Sequence, residues 1–297
     1  MYDKSLDREA FVMDPKPFSS PVFTLLMHNT VHDALNTMKT NFIKRVVIVK
    51  DSKPIGIVTE RDISRFLEKD TTKRALDEIT LKEIMKKNLI TIQANQADHF
   101  EQCATRMITF KMGSIIVVND EGRLAGITTQ TDITAAFAST YSGKYKVKDY
   151  MTDKVVTCRE TDSLQYALEI INKNDVSRLV VTDSKGIVKG IITTNTFLRH
   201  SEYFKENTKS RRYLLPAERV DARTVSEWIE SEILTVEQDE DLANAAALMI
   251  KNKVSGIPVI VMKDSKLTGV VSKFDVVRAY SNVIPHGKVL EIYRTYP

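Results

Sequence analysis

A hydroxyl and a carboxylate three residues apart recur along this chain: Thr59 and Asp62 in "GIVTERD", Thr129 and Asp132 in "GITTQTD", and Ser272 and Asp275 in "GVVSKFD". A fourth stretch, "GIITTNT", keeps Thr193 but places Thr196 where the carboxylate would fall. Each stretch reads as the end of a buried strand turning into a helix. At such a turn the pair is first of all a capping box, in which hydroxyl and carboxylate satisfy backbone N–H groups of the first helical turn. The same geometry can do ligand chemistry. A helix N-terminus and a hydroxyl offer donors to a phosphate, and a carboxylate can accept from both hydroxyls of a ribose. Thr193 can still cap its helix and meet a phosphate, but Thr196 cannot accept from two hydroxyls as a carboxylate does, so that copy is expected to be weak, empty or altered in ligand choice.

The elements that must position these groups also recur in one order. Each copy opens with a short apolar strand ending in threonine: "VFT" to Thr24, "LIT" to Thr91, "VVT" to Thr157 and "ILT" to Thr235. Similar lead-ins, "IMKKN", "YMTDK" and "WIESE", precede three of them. A helical stripe follows, as in Val31, Ala34, Leu35 and Met38, or Leu242, Ala245, Ala246 and Met249. Next come a second strand ("RVVIV", "SIIVV", "RLVVT", "GIPVI"), a polar turn, the strand carrying the signature, and another amphipathic helix through Ile63, Phe66 and Leu67 or Ile133, Ala136 and Phe137. The second copy carries a two-residue insertion before its second strand. The predicted fold class is therefore α+β, with strand-helix-strand-strand-helix units at 15–70, 81–140, 147–201 and 224–282. One unit of this size buries little core, and a three-stranded sheet with both helices on one face needs a partner on the other, so the units should pair. Residues 202–223, mostly polar and charged, read as a linker between the third and fourth units. The first twenty residues and the tail "VIPHGKVLEIYRTYP" fall outside the repeats, and their apolar residues suggest docking onto the body or a neighbour.

Composition narrows the function classes. A chain of 297 residues, 42% hydrophobic and 28% charged, has a globular balance. The apolar run "MGSIIVV" is far short of a membrane span, and "MYDKSLDREAF" lacks the apolar core of a signal peptide, so a cytoplasmic location without membrane contact is expected. The net charge of +4 is spread along the chain, too mild to argue for nucleic acid. Cys103 and Cys158 have no zinc-knuckle spacing and read as small packing residues. His28 and His32 have metal spacing for one helix, but the first falls before the helix and no acidic or cysteine partner is near, so no metal site is expected. No GxxxxGK(S/T), HExxH or GxSxG stretch is present, so no catalytic residue is assigned and the protein is expected not to be an enzyme.

With four signatures in this context, the chain resembles the cystathionine β-synthase (CBS) domain family, whose units share this element order and a Gly-h-h-(Ser/Thr)-x-x-Asp signature, h being apolar. The resemblance covers nearly the whole chain and is strongest to four-repeat archaeal members and the gamma subunit of AMP-activated protein kinase. It implies two Bateman modules, each a pair of units about a pseudo-twofold axis, which can close into a flat disc. It also implies clefts for adenosine-containing ligands (AMP, ADP or ATP, with S-adenosylmethionine or NAD as further candidates) and no required cofactor. Lys44 and Arg45 in "KRVVIV" and Arg178 in "SRLVVT" occupy the family's phosphate-reading positions, while the even copies have small residues there, "MGSIIV" and "SGIPVI". Such alternation is expected if each module sets an arginine-bearing face against a small-residue face; a surface charge flanking a strand is the plainer reading of either arginine alone. By resemblance Phe23, Ile90, Val156 and Leu234 line the adenine pockets, and all four are also plausible core residues. The implied function is a regulatory adenine-nucleotide sensor that signals to an unidentified protein partner or through its own homodimer. The alternatives are a nucleic-acid-binding CBS regulator, for which neither a helix-turn-helix nor a basic helix is found, and a residual enzyme acting on its bound nucleotide.

Overall fold

A computed structural model of the chain describes residues 17–70, 72, 74–200, 223–229 and 232–282. Of the 202–223 segment only Arg223 is among them, and the tail beyond Asn282 lies outside them. The first unit comprises β1 (Thr24–Leu25), α1 (Val31–Thr40), β2 (Arg45–Lys50), β3 (Lys53–Thr59) and α2 (Glu60–Lys69). A short helix α3 (Leu81–Ile84) leads into the second unit: β4 (Thr91–Gln93), α4 (His99–Thr109), β5 (Ser114–Val118), β6 (Leu124–Thr129) and α5 (Gln130–Thr140). The third holds β7 (Thr157–Arg159), α6 (Leu164–Lys173), β8 (Arg178–Thr182), β9 (Val188–Thr193) and α7 (Thr194–His200). The fourth holds β10 (Val236–Glu237), α8 (Leu242–Lys251), β11 (Gly256–Val261), β12 (Lys266–Ser272) and α9 (Lys273–Asn282).

Every unit has its own three-stranded sheet, the first strand parallel to the second and the second antiparallel to the third. The expected α+β class holds. The helical stripes do what their spacing requires: Val31, Ala34, Leu35 and Met38 are buried along α1, and Leu242, Ala245, Ala246 and Met249 along α8. One expectation is corrected. The first strands begin at their threonine rather than end on it, because Thr24, Thr91 and Thr157 pair with Val47, Ile116 and Val180. In the fourth unit the first strand starts one residue later, with Val236 opposite Val259. The corresponding partner there is Pro258, which lacks the N–H that Val47 and Ile116 donate to the carbonyls of Phe23 and Ile90.

The signature glycines stand at a bulge. Gly56, Gly126, Gly190 and Gly269 pair with Ile48, Val117, Val181 and Val259, and the register shifts immediately afterwards in all four sheets. Three of these glycines leave room for a lead-in. A methyl on Gly56 would stand 2.7 Å from Met85 Sδ and one on Gly269 2.8 Å from Met151 Sδ, while one on Gly126 would overlap the Phe18 ring. The lead-ins cross over within each pair: Lys86 bridges to Ile57 of the first unit, Ser19 to Ile127 of the second, and Thr152 to Val270 of the fourth. Of the first twenty residues, Phe18 and Ser19 dock on the second unit, and residues 1–16 lie outside the described ones.

Units one and two meet sheet to sheet through Val47, Ile116, Val118 and Ile127. Units two and four meet through α4, α5, α8 and α9, whose buried faces, including Met107, Phe137, Leu242 and Val276, merge into one core. Units one and three touch more lightly, where α2 meets α7, Arg61 and Arg65 pair with Asp175, and Asn195 donates to Glu60. Lead-in and strand bridges join unit three to unit four. The four units therefore close a ring, the connectivity a two-module disc requires.

Candidate functional site

At each signature the strand-to-helix turn makes its own cap. The Thr59 N–H and hydroxyl donate to Asp62 Oδ2 at 3.0 and 2.6 Å, and the Asp62 N–H returns a bond to Thr59 Oγ1. Thr129 donates likewise to Asp132 Oδ2, both bonds at 2.7 Å, and Ser272 to Asp275 Oδ2 at 2.9 and 2.6 Å. In the third copy Thr196 Oγ1 accepts from the Thr193 N–H at 3.1 Å, so the cap survives without a charge. The reciprocal capping box is formed at Thr59 and Thr129, and the third copy keeps it with two hydroxyls.

The backbone also fixes the basic residues beside these turns. The first N–H of each helix donates to a carbonyl at the head of the second strand: Glu60 to Lys44, Gln130 to Gly113, Thr194 to Ser177 and Lys273 to Ser255, all at 3.1–3.2 Å. Arg45 and Arg178 follow at once and stand opposite Thr59 and Thr193 across the sheet. Neither is a surface charge. A methyl on Gly113 would be 3.1 Å from the Arg45 guanidinium, and one on Gly256 would overlap that of Arg178. The odd-even alternation thus has a steric cause: each arginine lies in the space that a missing side chain of the paired unit leaves. Lys44 is exposed.

Burial pushes the Arg45 guanidinium down, opposed by Glu60, Asp132 and Asp62. Burial pulls Arg178 down to about 10, with Asp275 opposing and Arg61 of the other pair adding to the effect. The guanidinium is still charged at neutral pH. Its Nη2 donates to Ser255 Oγ at 2.7 Å, whereas the buried Nη1 has no partner among the described residues. Burial of Asp275 raises its carboxyl, offset by Ser272 and Arg278.

One contributor escaped the sequence reading. Lys273, directly after Ser272, is only 8% exposed, and its Nζ reaches Thr131 Oγ1 of the second unit at 3.0 Å. Burial, then Lys44 and Arg178, pull its ammonium down to about 8, with Asp132 opposing. Residues inside the four signatures therefore meet across the two pairs, Asn195 with Glu60 and Lys273 with Thr131. The motif spacing holds no hint of this, since it arises only when the ring closes.

The residues expected to line adenine pockets precede the first strands. Phe23 is 46% exposed, and Ile90, Val156 and Leu234 are partly buried, the last three against the cores of their units. None is a closed core residue. His28 lies before α1, off the helix that carries His32, whose Nε2 is paired with Asn36. Among the described residues no cluster of His, Cys, Asp and Glu could hold a metal ion, and no helix is long and apolar enough to cross a membrane. Burial raises both thiols to about 12, leaving Cys103 and Cys158 inert.

Gly256 gives a direct test of the arginine packing. In Gly256→Ala the new methyl must expel the Arg178 guanidinium, so the variant is expected to reproduce the ligand-binding loss of Arg178→Met in calorimetry. Unchanged binding would mean the guanidinium can move without consequence.

These features define a class: a repeat protein of paired β-α-β-β-α units whose helix N-termini, carboxylates and half-buried cations lie where the units and the two pairs meet. The CBS domain model matches residues 12–69, 81–139, 147–203 and 225–282, and the chain belongs to the CBS domain family. Protein MJ1225 of Methanocaldococcus jannaschii is 25% identical over 276 residues, covering 88% of this chain and 95% of that protein. MJ1404 of the same organism is 27% identical over 277 residues, 91% of this chain but 62% of the relative. The solved structure of MJ1225, described as a candidate archaeal homologue of g-AMPK, superposes with a TM-score of 0.76 at 22% identity over 89% of this chain and 98% of that one. A conserved Pyrococcus horikoshii protein gives 0.63 at 20% identity over 90% and 98%.

Proposed function

We propose that the protein is a non-catalytic regulator that binds adenosine-containing nucleotides in clefts around Asp62, Asp132 and Asp275 and signals occupancy to a protein partner or through its own assembly. The ribose hydroxyls would donate to the signature carboxylates. The phosphates would lie toward Arg45, Arg178, Lys273 and the helix N-termini, and the base against Phe23, Ile90, Val156 or Leu234. The observation that carries this reading is the cationic convergence of Arg178, Lys273 and Lys44, above all the buried Arg178 Nη1 without a partner among the described residues. Leaving such a donor unsatisfied costs about 1–3 kcal/mol, and a phosphate oxygen would satisfy it. The phosphorylated ligands AMP, ADP and ATP therefore fit better than S-adenosylmethionine, whose sulfonium adds positive charge where cations already crowd. Calorimetry with AMP, adenosine and S-adenosylmethionine tests this: AMP should bind tightest, and binding of adenosine equal to that of AMP would remove the phosphate role.

Lys273 adds a pH signature. In the free protein its charge is half lost at about pH 8. A phosphate nearby favours the charged ammonium, so AMP binding should take up protons around pH 8–9 and weaken as pH rises further. Stability of the ligand-free fold should move oppositely. Between about 8 and the ordinary 10.5 the unfolded chain holds more protons than the folded one, so stability rises with pH across that window. Calorimetry in buffers of different ionisation enthalpy reads the uptake, and Lys273→Met should abolish it. Uptake that persists in Lys273→Met would assign it to another group.

A further inference from the structure

Each signature aspartate gives one oxygen, Oδ2, to its own cap and offers the other, Oδ1, to a second donor, from a lead-in for Asp62 and Asp132 and from the next turn of the same helix for Asp275. Lys86 Nζ lies 2.7 Å from Asp62 Oδ1, Ser19 Oγ donates to Asp132 Oδ1 at 3.2 Å, and Arg278 Nη2 donates to Asp275 Oδ1 at 3.1 Å. The caps do not need these donors, because Oδ2 alone accepts both capping bonds in all three copies. The donors come from different places in the sequence but share one attachment. Lys86 and Ser19 lie on the lead-ins that pair with the signature strands at Ile57 and Ile127. Arg278 also donates to the carbonyl of Tyr150, in the lead-in that pairs with Val270, and stacks over the Tyr150 ring at 5.9 Å.

We propose that Lys86, Ser19 and Arg278 are specificity-setting residues that compete with a ribose diol for the outer oxygens, ranking the clefts and tying occupancy to the lead-ins. The inference rests on the adenosine-ligand reading above. With both Oδ2 lone pairs taken by the cap, a diol that donates both hydroxyls needs both lone pairs of Oδ1, one of which these side chains hold. Their strengths differ. Ser19 donates from an uncharged hydroxyl at 3.2 Å, the longest of the three contacts, and is the weakest of the three. Lys86 makes an ion pair, but its ammonium is largely exposed and regains water on release. Arg278 is held twice more, by the Tyr150 carbonyl and ring, against a carboxylate that is only 5% exposed. Clefts should therefore fill in the order Asp132, Asp62, Asp275 as ligand rises. The last event has the longest reach. Tyr150 packs on Tyr145, which with Tyr141 contacts Phe137, and Tyr141 meets Tyr280 of α9 edge to face. Releasing Arg278 thus loosens the connector between the pairs where units two and four join.

The test uses full-length chains that keep one signature aspartate, the other two replaced by alanine, titrated with adenosine to leave phosphate contacts out. Ser19→Ala, Lys86→Met and Arg278→Met are then added to the matching chain. Adenosine affinity should rise about twofold, about threefold and about tenfold, respectively, and the differences between clefts should shrink. Arg278→Lys, which keeps the charge but loses the forked geometry, should fall between wild type and Arg278→Met. Thermal melts identify folded variants. Unchanged or weaker adenosine binding in folded Arg278→Met and Lys86→Met would overturn the proposal and make these donors supports of the site. If the wild-type chain binds neither adenosine nor AMP, the ligand reading itself fails, and this inference with it.

Discussion

Replacing Asp62, Asp132 and Asp275 with alanine is expected to weaken AMP binding at each cleft by about 1–3 kcal/mol, roughly five- to 150-fold, with the triple variant losing measurable affinity at ordinary concentrations. The physical reason is the geometry of the cap. Each carboxylate is anchored through Oδ2 by its own Thr or Ser, so the outer oxygen is presented with little freedom left to lose. The same replacement removes half of a capping box, which costs fold stability as well. Asparagine separates the two effects. It keeps an acceptor for the cap but loses the charge that strengthens a ribose bond, so Asp→Asn variants should melt near wild type while still binding AMP several-fold more weakly. Alanine at all three positions with unchanged calorimetric binding would remove the carboxylates from the site.

Arg178→Met and Arg45→Met should act on phosphate and not on ribose. A half-buried guanidinium bonded to a phosphate contributes about 1.5–3 kcal/mol, so AMP affinity should fall by about ten- to 150-fold while adenosine changes by less than about twofold. Arg178 is expected to show the larger loss, because its Nη1 lacks a partner among the described residues. Added salt should weaken the wild-type phosphate-dependent increment and leave the remainder untouched. Equal losses for AMP and adenosine would mean that the arginines only hold the two units of a pair together, filling the space over Gly113 and Gly256.

Much of this arrangement was legible because it is periodic. The stripe through Val31, Ala34, Leu35 and Met38 and its three counterparts specify the helices, and the repeated glycine and hydroxyl locate the turns. The arginine-small alternation even predicts the pairing of faces, since an arginine beside a strand needs room that Gly113 and Gly256 supply. What stayed hidden depends on contacts between units. Met85, Phe18 and Met151 cover signature glycines of a paired unit, so the similarity of the lead-ins was visible but their crossing was not. Lys86 and Ser19 reach the carboxylates from the lead-in of the paired unit, at positions with no common spacing to the signature, whereas Arg278 lies one turn past Asp275 on the same helix and is tied to the lead-in only through Tyr150. Lys273 meets Thr131 only because the second and fourth units pack helix to helix. The start of the fourth unit's first strand was obscured by a single missing N–H, that of Pro258.

The measurement that bears most directly on the central claim is native mass spectrometry of the full-length chain titrated with AMP, with the bound species released and weighed. The account predicts up to three tightly bound AMP molecules, recovered at unaltered mass, and loss of all three in the Asp62→Ala, Asp132→Ala, Asp275→Ala variant. The cleft carrying Thr196 should fill only at much higher concentration, if at all. No bound nucleotide, a fourth molecule as tight as the others, binding that survives the triple replacement, or a chemically altered nucleotide on release would contradict it.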